Sequence, residues 1–240
     1  MGKSIIECVP NISEGRDIEK IKRIVDAARI PGVKILGVEP DSDYNRTVIT
    51  FAGEPSDVEH AAYLLIQESI LEIDMRNHSG EHPRMGCVDV CPFVPISGAS
   101  MEQCVDIAKR VARKVGDLSV PVFMYGGAAS DVSRSSLSTL RKGEYEELIN
   151  RFTGTSTVHG ESTRLPDFGT TRWDDTSKKS GAITIGARDI LIAYNVNVEE
   201  KDAVISKQIG SIVRSSGRLM KSNDKGKKFR TQGLLPFVQG

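Results

Sequence analysis

The sequence predicts an α/β (α+β) fold made of two ferredoxin-like, split βαβ subdomains, with open mixed sheets and helices on one face. Short apolar segments rich in β-branched residues alternate with longer segments whose apolar residues recur at helical spacing. In the first part of the chain these segments follow the order β-α-β-β-α-β, which is the order of a split βαβ unit. A chain of 240 residues is also long enough for two small domains.

The segments of the first part can be assigned one by one. Predicted strands occupy 4–9, 33–38, 46–51 and 88–94. Predicted helices occupy 18–28, 55–70 and 100–115. Pro31-Gly32 ends the first of these helices, and Ser100 and Gln103 have the spacing of a capping box at the start of the third. A strand over 120–125 and a short helix over 144–152 follow.

The second part of the chain is less regular. Residues 153–181 are polar, and a connection of that length is usually functional or disordered. We therefore expect an N-terminal subdomain over 1–180 and the start of a C-terminal subdomain over 181–240. The latter offers only a strand over 182–198, a helix over 203–213 and an apolar run over 234–238. Half a split unit leaves a sheet edge uncovered, so this subdomain is expected to be truncated or completed by a partner.

Composition excludes several classes of function. Lys+Arg and Asp+Glu both number 32, so no global field attracts nucleic acid or an anionic membrane, and any bound anion must be held locally. The longest apolar runs fall well short of the ~20 residues of a membrane span, and the first residues lead us to expect no signal peptide. The four cysteines are therefore expected to be reduced thiols of a cytoplasmic protein.

The densest cluster of reactive side chains lies in the loop Asn77–Gly86. His78 and His82 are four residues apart, which suggests a zinc pair, but Gly80 and Pro83 oppose the helix that this spacing requires. We therefore expect no metal. A neutral imidazole suits proton transfer near neutral pH, and His82, fixed by Pro83, is the preferred candidate. The alternative is a histidine packed at the start of a strand with its ring nitrogens satisfied.

Several motifs together resemble the glutamate formimidoyltransferase family, the formiminotransferase domain of formimidoyltransferase-cyclodeaminases. They are Cys8–Gly15, Asn45–Val48, Gly80–Gly86 with Asp89–Phe93, and Gly181–Asn197. The resemblance implies transfer of the formimino group from N-formimino-L-glutamate to N5 of tetrahydrofolate, which gives 5-formiminotetrahydrofolate and L-glutamate in histidine degradation. It also implies tetrahydrofolate as co-substrate, a folate site between two subdomains, and a homodimer.

The resemblance assigns roles to individual residues. His82 matches the family's catalytic histidine, which acts as base and then as acid. The expected substrate-binding residues are Asn11, Glu14, Asn45, Arg46, Arg84 and Arg188. The expected folate-binding residues are Gly169, Thr170, Thr171, Arg172, Trp173 and Gly181. Solvated ion pairs at Arg46 and Arg84, and a tryptophan packed at a hinge, are the alternatives. Residues 174–179 look longer and more charged than the family's pattern, which weakens the assignments between 172 and 180.

Three rival functions remain open at this point. One is a folate-binding paralogue of the family that has lost transferase turnover. Another is an enzyme of the same family that acts on 5-formyltetrahydrofolate. The most distant is a metal hydrolase built on His78 and His82.

Overall fold

The computed structural model describes residues 3–191, 203–213, 219–221 and 228–230. The chain divides into two compact units, with the division after Ile190. The strands of the first unit are β1 (Ile5–Cys8), β2 (Asn11–Ile12), β3 (Val33–Asp41), β4 (Arg46–Gly53), β5 (Val88–Ser97), β6 (Val122–Gly126) and β7 (Ile183–Ala187). Its helices are α1 (Ile18–Ala27), α2 (Pro55–Glu72), α3 (Met101–Gly116), α4 (Leu137–Leu140), α5 (Leu148–Thr153), α6 (Glu161–Arg164) and α7 (Asp175–Ser180).

The strands form one mixed sheet. Strands β1 and β2 occupy the same position in the sheet, one after the other. They are interrupted at Pro10, which has no N–H to donate to the ladder. Both pair antiparallel with β4 on one side and with β5 on the other, and β3 pairs antiparallel with β4. The order β3-β4-β1/β2-β5 is that of a split βαβ unit, as the sequence predicts, and the mixed α/β fold class is confirmed.

The main core lies between this sheet and helices α1, α2 and α3. Helix α1 begins at Asp17, whose carboxylate accepts from the amides of Glu19 and Lys20, and its buried stripe is Ile21, Ile24 and Val25. Helix α3 begins at Ser100, whose hydroxyl accepts from the Gln103 amide at 3.2 Å, as the capping-box spacing predicts. The buried side chains of the three helices form one cluster with Cys8, Phe51 and Phe93 of the sheet.

The sheet continues beyond the split unit through two parallel strands. Strand β7 lies between β5 and β6, with Ile185 opposite Cys91 on one side and Met124 on the other. All five of its residues are buried, which suits an interior parallel strand. The sequence prediction starts the second subdomain at 181, and β7 pairs with strands of the first unit, which ends at Ile190. An apolar run does not tell from which sheet its hydrogen-bond partners come.

The polar stretch before β7 is structured, contrary to the expectation of a connection without structure of its own. It includes α6 and α7 and is held by two buried arginines. Arg134 pairs with Asp167 at 2.6 Å and donates to the Leu165 carbonyl at 2.7 Å. Arg151 packs over the Phe123 ring at 4.0 Å and donates to the Arg164 carbonyl at 3.2 Å. Hydrogen bonds from arginine side chains to main-chain carbonyls thus help to hold this stretch in place.

The second unit contains helix α8 (Ala203–Val213) and an antiparallel pair, β8 (Leu219–Lys221) and β9 (Lys228–Arg230). The helix is where the sequence predicts it. The expected end of the strand over 192–198 and the apolar run over 234–238 lie outside the described residues, so the expected truncation of this subdomain stays a prediction. Among the described helices, none combines the length and the apolar character of a membrane span.

All four cysteines are free and buried. Burial raises the pKa of Cys87 to about 12 and that of Cys104 to about 11, so these thiols carry little thiolate at neutral pH. The sulfur atoms of Cys8 and Cys91 are 3.5 Å apart across β1 and β5. This arrangement agrees with the expectation of reduced thiols packed in the core.

Candidate functional site

The candidate site lies on the sheet face that the three long helices leave uncovered. In β4 the side chains of Ile49 and Phe51 are fully buried, whereas those of Arg46 and Val48 are only partly buried and face the other way. Strands β4 and β5 run in the same direction, because each is antiparallel to β1/β2. The start of β4 and the loop that precedes β5 therefore meet at one end of the sheet.

Asn45 fixes the loop that carries His82. Its backbone has a φ of 48°, a left-handed conformation that asparagine tolerates better than most residues. Its side-chain oxygen accepts from the Gly15 amide at 3.0 Å, and its side-chain nitrogen donates to the Ser79 carbonyl at 2.8 Å. The amide of His82 donates to the adjacent Tyr44 carbonyl at 3.3 Å. The structure thus gives Asn45 a positioning role.

His78 has both ring nitrogens engaged. Arg84 Nε donates to His78 Nδ1 at 3.2 Å, so the ring proton belongs on Nε2, which lies 3.0 Å from the Asn45 carbonyl. Burial lowers the pKa of His78, which favours this neutral form. His78 therefore has no ring nitrogen left for a zinc ion or for proton transfer in this arrangement.

The His82 ring is partly buried and meets the Tyr44 ring edge to face, with 6.4 Å between centroids. Desolvation, followed by the charges of Arg46 and Arg141, lowers the pKa of His82 to about 4. The imidazole is therefore neutral at neutral pH and can accept a proton. The two guanidinium groups that lower the pKa also make the surroundings of His82 favourable for an anion.

This electrostatic environment predicts an unusual titration. We expect the His82 ring to titrate with a midpoint about 4 in the folded chain, well below the ordinary 6.5, and to shift upward in Arg46→Gln. NMR of the imidazole carbon resonances against pH measures both values. Arg110→Gln, which removes a guanidinium from the helix face, is the control and should leave the midpoint unchanged. A wild-type midpoint near 6.5 would contradict the prediction.

Arg46 and Asn11 lie together beside this loop. Arg46 Nη1 donates to Asn11 Oδ1 at 3.0 Å, and Asn11 Nδ2 donates to the Val9 carbonyl at 3.3 Å. Arg46 Nε is buried and has no hydrogen-bond partner among the described residues. A guanidinium held on one side with a donor unused on another is well suited to receive a carboxylate.

Arg84 is occupied by the chain's own carboxylates. Its Nη1 donates to Glu144 at 3.1 Å and to Glu146 at 2.9 Å, its Nη2 donates to Glu146 at 2.7 Å, and its Nε donates to His78. The residue is 8% exposed. The structure thus favours the ion-pair alternative over substrate binding, although the pair is buried on the arginine side rather than solvated.

This geometry separates two roles for Arg84. We expect Arg84→Met to lower the free energy of unfolding by about 2 kcal/mol, below the cost for a fully buried pair because its partner carboxylates reach solvent. The Arg84→Met protein that remains folded should have Michaelis constants near those of wild type for both substrates. Thermal melting and steady-state kinetics measure these quantities, and a large rise in either Michaelis constant would restore a binding role.

Glu14 and Arg188 both contact the protein's own groups. The Glu14 carboxylate accepts from the amides of Arg16 at 2.9 Å and Asp17 at 3.0 Å, just before α1. Arg188 follows β7, where its amide donates to the Phe93 carbonyl at 3.1 Å, and it lies beside the buried phenol of Tyr125. It is at the opposite end of the strands from His82.

The expected folate-binding residues do not all lie in one place. Gly169, Thr170 and Arg172 line a cavity of about 390 Å³ at the end of α3, together with Arg113, Gly116, Asp117, Ser119, Phe168 and Asp174. Thr171 is exposed. Trp173 packs against the rings of Tyr145 and Phe152, with 5.5 and 6.3 Å between centroids. This contact favours the packing alternative for the tryptophan.

Gly181 connects this stretch to the His82 loop. It pairs with Gly86 in an antiparallel bridge, and a Cβ on Gly181 would lie 2.2 Å from the Met85 carbonyl oxygen. Its φ of 64° is also one that residues with a side chain rarely adopt. Gly181 thus allows the close approach of two backbones.

Sequence reasoning missed Asp89 and Arg141. Asp89 is 1% exposed, accepts from the Met85 amide at 3.0 Å and forms an ion pair with Arg141. Burial raises its pKa to about 6, against the opposing effects of Arg141 and the Met85 amide. Asp89 begins the Asp89–Phe93 motif that the sequence analysis names, so the sequence did contain a signal for it. Arg141 lies in a charged stretch typical of a solvated surface.

Comparison with known proteins assigns the chain to a family. Residues 5–188 match the family model described as the formiminotransferase domain, N-terminal subdomain. The glutamate formimidoyltransferases of Thermoplasma acidophilum and Streptococcus pyogenes serotype M1 are 44% and 38% identical to the chain, over 88% and 89% of its length. The alignments cover 68% and 69% of those relatives.

A longer relative is also similar to most of the chain. The formimidoyltransferase-cyclodeaminase of Rattus norvegicus is 42% identical over 81% of the chain, which spans 34% of that protein. The family model covers most of the first unit, including the His82 loop and all seven strands of its sheet. The chain belongs to the formiminotransferase family.

Proposed function

We propose that the chain transfers the formimino group from N-formimino-L-glutamate to N5 of tetrahydrofolate, giving 5-formiminotetrahydrofolate and L-glutamate. The similarity to glutamate formimidoyltransferases over most of the chain supports this activity. The observation that carries it in the structure is the neutral imidazole of His82 among guanidinium groups on an open sheet face. The histidine-degradation context follows from the family.

The chemistry needs one group that moves a proton. N5 of tetrahydrofolate attacks the formimino carbon, a new N–C bond forms, and the nitrogen must lose its proton. The C–N bond to glutamate then breaks, and the departing glutamate nitrogen must gain a proton. We propose that His82 takes the first proton as base and returns it as acid, so the ring ends the cycle neutral.

The other roles follow from charge and position. N-Formimino-L-glutamate is a dicarboxylate, and Arg46, supported by Asn11, is proposed to bind one of its carboxylates. Asn45 holds the loop in place. The polar cavity that Gly169, Thr170 and Arg172 line supports a folate contact there. We further propose a cytoplasmic homodimer without a resident metal, and sedimentation of the purified protein tests its subunit count.

The decisive experiment mixes the protein with N-formimino-L-glutamate and tetrahydrofolate. Release of L-glutamate together with 5-formiminotetrahydrofolate supports the proposal. Tetrahydrofolate binding without glutamate release would instead support a folate-binding paralogue, and turnover of 5-formyltetrahydrofolate alone would support the other alternative. Metal-dependent hydrolysis without folate would indicate a hydrolase.

The folate cavity has a test of its own. We expect tetrahydrofolate to slow amide hydrogen exchange over 169–173, because a bound ligand suppresses the local opening that permits exchange. Mass spectrometry of peptides with and without tetrahydrofolate measures this effect. The peptide over α1 is an internal control and should not change. Equal protection of 169–173 in both states would place the folate elsewhere.

A further inference from the structure

We propose that Arg141, oriented by Asp89, binds the α-carboxylate of the glutamate moiety next to His82. This inference rests on the formimino transfer proposed above and assigns a substrate contact to a residue that no motif identified. Four features carry it: the anchoring of Arg141, its unused donor, its effect on His82, and the chemistry of the substrate.

Arg141 belongs to a segment that is fixed directly on the His82 loop. The Tyr145 amide donates to the Arg84 carbonyl at 2.9 Å, and the Arg84 amide donates to Glu144 at 3.2 Å. On the other side Asp89 accepts from the Met85 amide at 3.0 Å and from Arg141 Nη2. The guanidinium of Arg141 is thereby tied to the residues that follow His82.

Arg141 retains hydrogen-bonding capacity after this anchoring. Its Nη2 donates to Asp89, while its Nε is buried without a partner among the described residues. A buried donor without an acceptor is costly, and a ligand oxygen would satisfy it. Arg46 Nε is also buried without a partner among the described residues, so each of the two guanidinium groups whose charges act on His82 has a donor that lacks an acceptor.

The position of Arg141 favours the reacting substrate over the folate tail. In N-formimino-L-glutamate the nitrogen that leaves is attached to the carbon that carries the α-carboxylate. A group that contacts this carboxylate is therefore close to the bond that breaks. The carboxylates of tetrahydrofolate are separated from N5 by the p-aminobenzoyl group. A guanidinium whose charge acts on His82 thus suits the α-carboxylate.

Asp89 has a positioning role in this arrangement. A carboxylate that is 1% exposed is costly to bury, and its ion pair with Arg141 together with the Met85 amide offsets that cost. Holding one edge of the guanidinium reduces the freedom that Arg141 would lose on binding substrate. Arg134 and Asp167 form a similar buried pair, but there the guanidinium donates to the chain's own carbonyls.

The test compares Arg141→Gln with Arg110→Gln, which also removes an arginine from an ion pair, the one with Glu59 on the helix face. We expect Arg141→Gln to raise the Michaelis constant for N-formimino-L-glutamate by at least about tenfold. The Michaelis constant for tetrahydrofolate should stay near wild type, and Arg110→Gln should change neither. Arg141→Lys, which keeps a charge near Asp89, serves if Arg141→Gln does not fold.

Ligand binding gives a second measurement that does not depend on turnover. Wild-type protein should bind L-glutamate more tightly than 4-aminobutyrate, which lacks the α-carboxylate, and Arg141→Gln should lose most of this difference. L-Glutamate should also raise the His82 titration midpoint in wild type, because its carboxylate offsets the nearby positive charge.

The outcomes separate this inference from the proposed function. Unchanged preference for L-glutamate in Arg141→Gln, or a rise in the Michaelis constant for tetrahydrofolate alone, would overturn it. Equal rises for both substrates would indicate a structural role and would also overturn it. If wild type binds L-glutamate but transfers no formimino group, the proposed function fails, and the binding comparison alone decides the role of Arg141.

Discussion

Replacing His82 by alanine is expected to lower the turnover number by at least about a hundredfold, the contribution typical of a positioned general acid or base. Affinity for tetrahydrofolate should remain nearly intact, because the proton moves only during the reaction. The ring forms an edge contact with Tyr44 and its main-chain amide bonds to the Tyr44 carbonyl. Alanine keeps the amide, so the loop should hold its place.

Two controls make this result specific. His60→Ala removes an exposed histidine from α2 and should leave turnover unchanged. Circular dichroism and thermal melting of His82→Ala test whether the fold survives. Steady-state turnover near that of wild type in a folded His82→Ala would remove His82 from the chemistry. Attention would then pass to His78, whose ring nitrogens would have to exchange their present partners.

The split βαβ unit could be predicted because its signals are local. Apolar spacing along α1 and α2 and alternation along β4 are each contained in a short window of sequence. The place of β7 could not be predicted in the same way. Its partners β5 and β6 are distant in the chain, and the segment that leads to it is held in part by hydrogen bonds from Arg134 and Arg151, which leave no periodic apolar pattern.

The contrast between local signals and contacts of distant segments also explains which site residues sequence reasoning identified. His82, Asn45 and Arg46 lie in motifs, and the structure brings them to one end of the sheet. The role of Arg84 depends on Glu144 and Glu146, which come from another segment, so its motif alone could not show that its guanidinium is already occupied. Arg141 was missed for the corresponding reason, since only the fold brings it to Asp89.

Asn45 takes no part in the proposed proton transfer, yet a change there should lower both stability and turnover, because it holds the His82 loop. We expect Asn45→Ala to lower the free energy of unfolding by about 3 kcal/mol, since it removes two hydrogen bonds, leaves buried polar groups unpaired and places alanine in a left-handed conformation. For a chain of this size that corresponds to a fall in melting temperature of roughly 10 °C. Turnover should also fall, because the His82 loop loses its bond to Ser79.

A comparison of variants at position 45 separates the effect of the lost hydrogen bonds from that of the backbone strain. Asn45→Gly removes the same hydrogen bonds but adopts the φ of 48° without strain, so it should recover about 1 kcal/mol relative to Asn45→Ala. Asn45→Asp keeps the acceptor for the Gly15 amide and loses the donor to Ser79. Its added negative charge should raise the His82 titration midpoint. Thermal melting of the three variants alongside wild type measures the order of stability. If Asn45→Ala melts with wild type and turns over as fast, the loop is held by other contacts, and the positioning role of Asn45 is wrong.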